Sequence, residues 1–173
     1  NDYDLAPVIG YKFRESKLLQ TAMTHSSYIK ETNRRGENNE RLEFLGDAIF
    51  DMVISAHLYR IMPDAEEGRL SKLRALIVCE YSLAECGRKL GINQCLRLGR
   101  GEEHNGGRER NSIIANAMEA LIAAIYLDGG LQAVEEFIHA NLREPDLTPD
   151  HIVRAMGISR SYLYKLFAQN DFS

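Results

Sequence analysis

The stretch NNERLEFLGDAIFDMV, residues 38–53, sets Glu40, Glu43 and Asp47 among residues that look built for burial. Leu42, Leu45, Ile49, Met52 and Val53 recur at helical spacing, which predicts a helix with one face in a core. The three acids then share a side of that helix, where like charges repel by about 0.2–0.5 kcal/mol per pair. Further on, in ANAMEAL, Asn116 and Glu119 also share a face. If the two helices cross at this level, side-chain oxygens of Glu43, Asp47, Asn116 and Glu119 converge. Hard oxygen donors of this kind suit Mg²⁺, which keeps several waters and leaves room for a substrate phosphate. Spacing alone leaves a second reading open, in which these are ordinary solvated helix acids.

The elements that must position these residues are helical. Ser16 is the expected N-cap of a helix carrying Leu18, Leu19, Ala22 and Met23, ending near Thr24-His25-Ser26. KETNRRGENN reads as a loop, and Asn38 or Asn39 can cap the acidic helix, which must stop before Pro63. EEGRLSKLRALIVCEYSLAECGRKLG predicts a helix through Leu70, Leu73 and Ile77, a break near Glu80 and a second helix stopped by Gly91. GRGEEHNGGRERN reads as a charged Gly-rich loop. NSIIANAMEALIAAIYLDGG is a strongly apolar helix closed by Gly129 and Gly130, and LQAVEEFIHANL is an amphipathic one. Alternating strand patterns are almost absent, so the expected class is all-α. Its two most apolar helices, about 41–61 and 112–127, should cross in the core.

Composition narrows the function classes. With 173 residues, 45% hydrophobic and 27% charged, the chain can bury a sizeable core. A net charge of −4 argues against a protein whose main task is coating nucleic-acid phosphates. It is compatible with acids that bind a cation, which then meets phosphate. No apolar run long enough to span a membrane and no leader segment is read, so no membrane partner is expected. Asn1 in first place suggests that the sequence begins inside a longer one. Cys79, Cys86 and Cys95 lack metal-site or paired spacing, and are read as reduced small apolar residues of a cytoplasmic protein.

NNERLEFLGDAIFDMV closely resembles the signature of the ribonuclease III family. TAMTHSSY, EGRLSKLRALIV and NSIIANAMEALIAAIYLDGG are similar to its other characteristic segments, in the same order, so the resemblance spans roughly Tyr11 to Asn141. It implies the all-α ribonuclease III endonuclease fold and a homodimer whose valley accepts double-stranded RNA. It implies Mg²⁺-dependent cleavage, with Mn²⁺ as a substitute ion, leaving 5′-phosphate and 3′-hydroxyl ends with short 3′ overhangs. The expected RNAs are ribosomal and other precursors. By position, Glu43, Asp47, Asn116 and Glu119 match the metal-binding and catalytic set, and Glu40 and Glu67 match acids that line the substrate valley. No His or Lys base is required.

Asn116 departs from the pattern, because the family has Asp there. Asn keeps one carbonyl oxygen but removes a unit of negative charge. A binding module of the same fold, holding RNA without cutting it, is therefore the competing reading. Three remaining residue readings are structural. Gly46 is expected at a close helix approach, since a helix-interior Gly otherwise costs about 1 kcal/mol relative to Ala. His25 is read as a helix-end hydrogen-bonding residue. Arg97, Arg100, Arg108 and Arg110 are candidates for phosphate contact, against the commoner outcome of a solvated charged loop.

The body is placed at residues 1–144 and a separate tail at 145–173, with the break near Pro145. The sequence is read as lacking the basic double-stranded-RNA-binding domain that follows in bacterial family members. The tail, LTPDHIVRAMGISRSYLYKLFAQNDFS, resembles one helix-turn-helix unit of AraC-type transcription regulators, with a turn at residues 157–159. It is too short to be stable alone, so it is read as docked on the body or foreign, with no DNA role.

Overall fold

The computed structural model describes residues 6–32 and 36–141. Among these residues the order is α1 (Ala6–Ile9), α2 (Ser16–Ala22), α3 (Ser26–Thr32), α4 (Glu40–Ile61), α5 (Glu67–Ile77), α6 (Glu80–Lys89), α7 (Ile92–Cys95) and α8 (Arg100–His104). A 3-10 turn (Gly107–Glu109) then leads into α9 (Asn111–Asn141). No strand forms among them; the one sheet-like contact is an isolated bridge between Thr24 and Arg97. The proposed break near Pro145 and the whole 145–173 tail lie outside the described residues.

Two helices make the core. α4 buries Leu42, Ile49, Phe50, Val53, Ile54 and Leu58 along one stripe; of the expected core face Leu42, Ile49 and Val53 are buried, Leu45 is partly buried and Met52 is exposed. The first part of α9 is buried nearly all round, with Ile114, Met118, Leu121, Ile122 and Ile125 fully enclosed. Each such side chain contributes about 1.5–3 kcal/mol by leaving water. By length and composition α9 could cross a membrane, but 61% of its most apolar window is buried inside the protein, as befits a core helix.

Small residues let the helices approach. A Cβ built on Gly46 would lie 1.8 Å from the Glu119 carbonyl oxygen, so α4 and α9 cross with backbones in contact. The expected packing role of Gly46 is thereby located at the level of the acids. Gly87 does the same for α6, where a Cβ would meet Ile114 Cγ2 at 2.5 Å.

Several boundaries differ from expectation. Ser16 is the first residue of α2 and does not cap it; Glu15 holds the N-cap position and makes no side-chain cap. The cap comes from a distant residue. Asp128 accepts N–H bonds from Arg14 (2.9 Å) and Glu15 (2.9 Å) and an O–H bond from Tyr11 (2.7 Å). The segment after Thr24 turns into α3, which takes in Ser26 to Thr32 and part of the expected loop. Asn39 stands at the N-cap of α4 without capping it, its Nδ2 buried and unpartnered, while Asn38 Oδ1 accepts the Glu40 N–H at 3.1 Å. The close of the apolar helix at the glycine pair is as expected: α9 is two helices meeting at Gly130, whose φ of 79° and ψ of −176° are essentially confined to glycine. The second half of α9 then packs back through Val134, Phe137 and Ile138.

The Asp128 bonds make a test. Burial raises the Asp128 pKa, but the N–H bonds from Arg14 and Glu15 and the Tyr11 hydroxyl outweigh it, leaving the group below its ordinary 3.8. Its stabilisation is therefore complete above that value and is lost as pH falls through the lowered folded value. Asp128→Ala is expected to cost about 1–2 kcal/mol at pH 7, discounted for partial exposure. Urea unfolding at pH 7 and pH 2.5 checks this; the gap between the two proteins should shrink at the lower pH, and a constant gap sinks the capping role.

Candidate active site

The α4–α9 crossing brings one face of each helix together. On α4, Glu43 and Asp47 lie one turn apart; on α9, Asn116 and Glu119 do the same. The Asn116 amide acts on the Glu43 carboxylate across the crossing, lowering its pKa. Burial raises the Glu43 pKa, the charges of Glu40 and Asp47 add to that, and the Asn116 amide opposes it. Glu119 is affected more strongly. Burial, then repulsion from Asp47, Glu43 and Asp51, pushes its carboxyl up to about 7 from an ordinary 4.5. A buried carboxylate held beside like charges is costly unless a cation joins it.

The four expected residues thus share one electrostatic neighbourhood. They do not form a ready-made cage: among the described residues no three His, Cys, Asp or Glu side chains stand assembled to hold a metal ion. The donor set itself fits a hard divalent cation, with three carboxylates, one amide oxygen and partial burial.

Of the two valley residues, Glu40 is exposed at the start of α4, accepts a bond from Asn38 Nδ2 (3.1 Å) and repels Glu43. Glu67 lies elsewhere. It opens α5, accepts the Ser71 hydroxyl at 2.6 Å, and lines a groove between α4 and α5 with Ser55, Arg60 and Arg74. Asp51, which sequence reasoning missed, does act on Glu119; its place four residues beyond Asp47 was the available signal.

Most of residues 100–110 are exposed, as a solvated charged segment would be, but three of the four arginines also have partners within the fold. Arg108 pairs with Glu103 and donates to the carbonyls of Asn93 (2.6 Å) and Leu96 (3.1 Å). Arg110 pairs with Glu102 at 2.9 Å, and Arg97 stacks on the Tyr28 ring at 4.7 Å. GRGEEHNGGRERN is itself partly helical, forming α8 and the 3-10 turn. The helix starts where Glu31 accepts the N–H groups of Arg100 and Gly101. Cys79, Cys86 and Cys95 form no disulfide among the described residues; Cys86 is buried and the other two are half-buried.

Comparison with known proteins bears on this arrangement. A family model described as ribonuclease-III-like matches residues 15–145. Ribonuclease 3 of Caldanaerobacter subterraneus subsp. tengcongensis is 56% identical over 130 residues, covering 75% of this chain and 57% of that protein. Ribonuclease 3 of Desulforamulus reducens is 53% identical over 131 residues, covering 75% and 53%. The chain therefore spans about half the length of the curated relatives it matches. Among solved structures, the nuclease domain of ribonuclease III from Campylobacter jejuni superposes with a TM-score of 0.74 at 38% identity, covering 82% of this chain and 98% of that one. That structure was described for flexibility in a region involved in dimer formation. Dicer from Pichia stipitis, at 21% identity and a TM-score of 0.59, covers 86% of this chain and 62% of its own and shares the fold.

Proposed function

Because this chain belongs to the ribonuclease III family, we propose that it is an endonuclease unit cutting double-stranded RNA, with Glu43, Asp47, Asn116 and Glu119 holding Mg²⁺. The products would carry 5′-phosphate and 3′-hydroxyl ends with short 3′ overhangs, and the substrates would be ribosomal and other RNA precursors in the cytoplasm. The observation that carries this reading is the crossing at Gly46 and Glu119, which gathers the charge of Glu43, Asp47 and Asp51 around a half-buried carboxyl. Mg²⁺, when bound, neutralises phosphate charge and acidifies water, the two demands of phosphodiester hydrolysis. The protein's own part is to hold and orient. Glu43, Asp47 and Glu119 supply the anionic donors, Asn116 orients Glu43 through its amide, and Glu40 lines the approach of the RNA backbone.

A second copy of the chain completes the valley in this reading. Phe44 is 81% exposed and Met52 48%, two turns apart on the same outer flank of α4, an apolar strip suited to such a partner.

A long RNA duplex incubated with Mg²⁺, and separately with chelator, tests the reading. Magnesium-dependent fragments support it. A retarded but intact duplex supports the competing module, which the Asn116 amide favours because it replaces a charged ligand with a neutral donor. Neither fragments nor retardation sinks both.

Restoring the family residue gives a finer prediction. Asn116→Asp replaces a neutral amide that favours the charged Glu43 with a repelling fourth carboxylate. At limiting Mg²⁺ the variant should cleave faster, by about tenfold, with RNA affinity little changed. Its unliganded form should melt lower. Equal rates across a magnesium titration refute this.

A further inference from the structure

We propose that His57 of α4 and His139 of α9 form a site for a divalent transition-metal ion such as Zn²⁺, with Glu135 as third ligand, separate from the acids at the crossing and independent of the nuclease reading. Beyond the break at Gly130 the second half of α9 packs back through Val134, Phe137 and Ile138. It meets α4 again near the end of that helix. There the ring centres of His57 and His139 stand 5.3 Å apart, with their planes at 73°. One turn before His139, on the same face of α9, Glu135 places Oε1 at 3.7 Å from Nη2 of Arg60 on α4.

The ring spacing suits two ligands on one ion. A metal held at about 2.0–2.1 Å by a nitrogen of each ring, at a tetrahedral angle, sets the ring centres about 5 Å apart. An edge-on ring contact alone accounts for the distance equally well, so the carboxylate beside the rings is what makes a donor set. Glu135 and His139, four residues apart, present oxygen and nitrogen to one side, and His57 comes from the facing helix. Two imidazoles and a carboxylate leave room for water, and imidazole is softer than the all-oxygen donors that Mg²⁺ takes. His57 is half-buried and His139 exposed, so an ion can enter from solvent.

Glu135 is turned to Arg60, so the three donors are not an assembled group. That pair is long, and its side chains are 60% and 37% exposed. An ion pair so placed holds weakly, and an incoming cation can draw the carboxylate from it. Arg60 opposes the ion by its charge. A bound ion would fasten the segment after Gly130 to α4, stabilising the folded chain by mass action.

Calorimetric titration of Zn²⁺ into the chain in saturating Mg²⁺ tests this. One saturable Zn²⁺ per chain is expected, with a melting temperature raised by about 5 °C at saturation. His57→Gln and His139→Gln should each weaken binding by about tenfold or more. Glu135→Gln should weaken it less, and Arg60→Gln, which frees the carboxylate, should tighten it. His139 is exposed, so its variant should fold as the parent does and carries the test even where His57→Gln does not fold. Zn²⁺ bound at parental strength by His139→Gln or by Glu135→Gln, or not bound by the parent, overturns the proposal. A signal lost in Glu119→Gln but kept in the histidine variants puts the ion among the acids and overturns it as well.

Discussion

Glu119→Gln is expected to slow duplex cleavage by about a thousandfold while making the metal-free protein more stable at neutral pH. Burial and the charges of Asp47, Glu43 and Asp51 raise the folded-state pKa of Glu119 to about 7. A carboxyl whose pKa is raised on folding weakens the fold when ionised. The penalty is absent below its ordinary 4.5 and complete above about 7, so parent stability falls as pH rises through that window. Glutamine keeps the shape and removes the charge. At pH 8 the variant should be more stable by about 1–2 kcal/mol, discounted for the partial exposure of the site, and at pH 4 the difference should vanish. Cleavage should fall by about a thousandfold, the several kcal/mol that one metal-holding carboxylate is worth. Thermal melts at both pH values, with a single-turnover assay, check the pair. A variant less stable at pH 8 would mean that Glu119 is already compensated.

Gly46→Ala should damage both fold and activity. Alanine would gain about 1 kcal/mol of helix propensity. Against that, its Cβ would sit 1.8 Å from the Glu119 carbonyl oxygen, a backbone atom that cannot rotate aside. Parting two core helices costs about 3 kcal/mol or more, so the clash wins. Chemical denaturation should show a net loss of about 2 kcal/mol or more, and the separated acids should cleave poorly even where the protein stays folded. Unchanged stability would contradict the close crossing.

Much of this was legible in the residues. α4 was expected over 41–61 and runs Glu40–Ile61, because its apolar stripe and Pro63 fix both ends. Helical spacing left the juxtaposition of Glu43, Asp47, Asn116 and Glu119 open, and the resemblance to the ribonuclease III family supplied it. What escaped were features fixed by distant partners. α2 is capped by Asp128, more than a hundred residues away, and α8 begins on the Glu31 carboxylate. Arg108 looked like loop charge because its acceptors, the carbonyls of Asn93 and Leu96, carry no side-chain signature. α3 has too few apolar residues for its period to show, and its cap is the ring of His25.

Calorimetric titration of Mg²⁺ into the RNA-free chain at pH 8, beside Glu119→Gln and Asp47→Asn, tests most directly whether these acids act as one cation site. A saturable signal in the parent that is lost in both variants is the expected result. The same signal in all three proteins, or none in the parent, would contradict it.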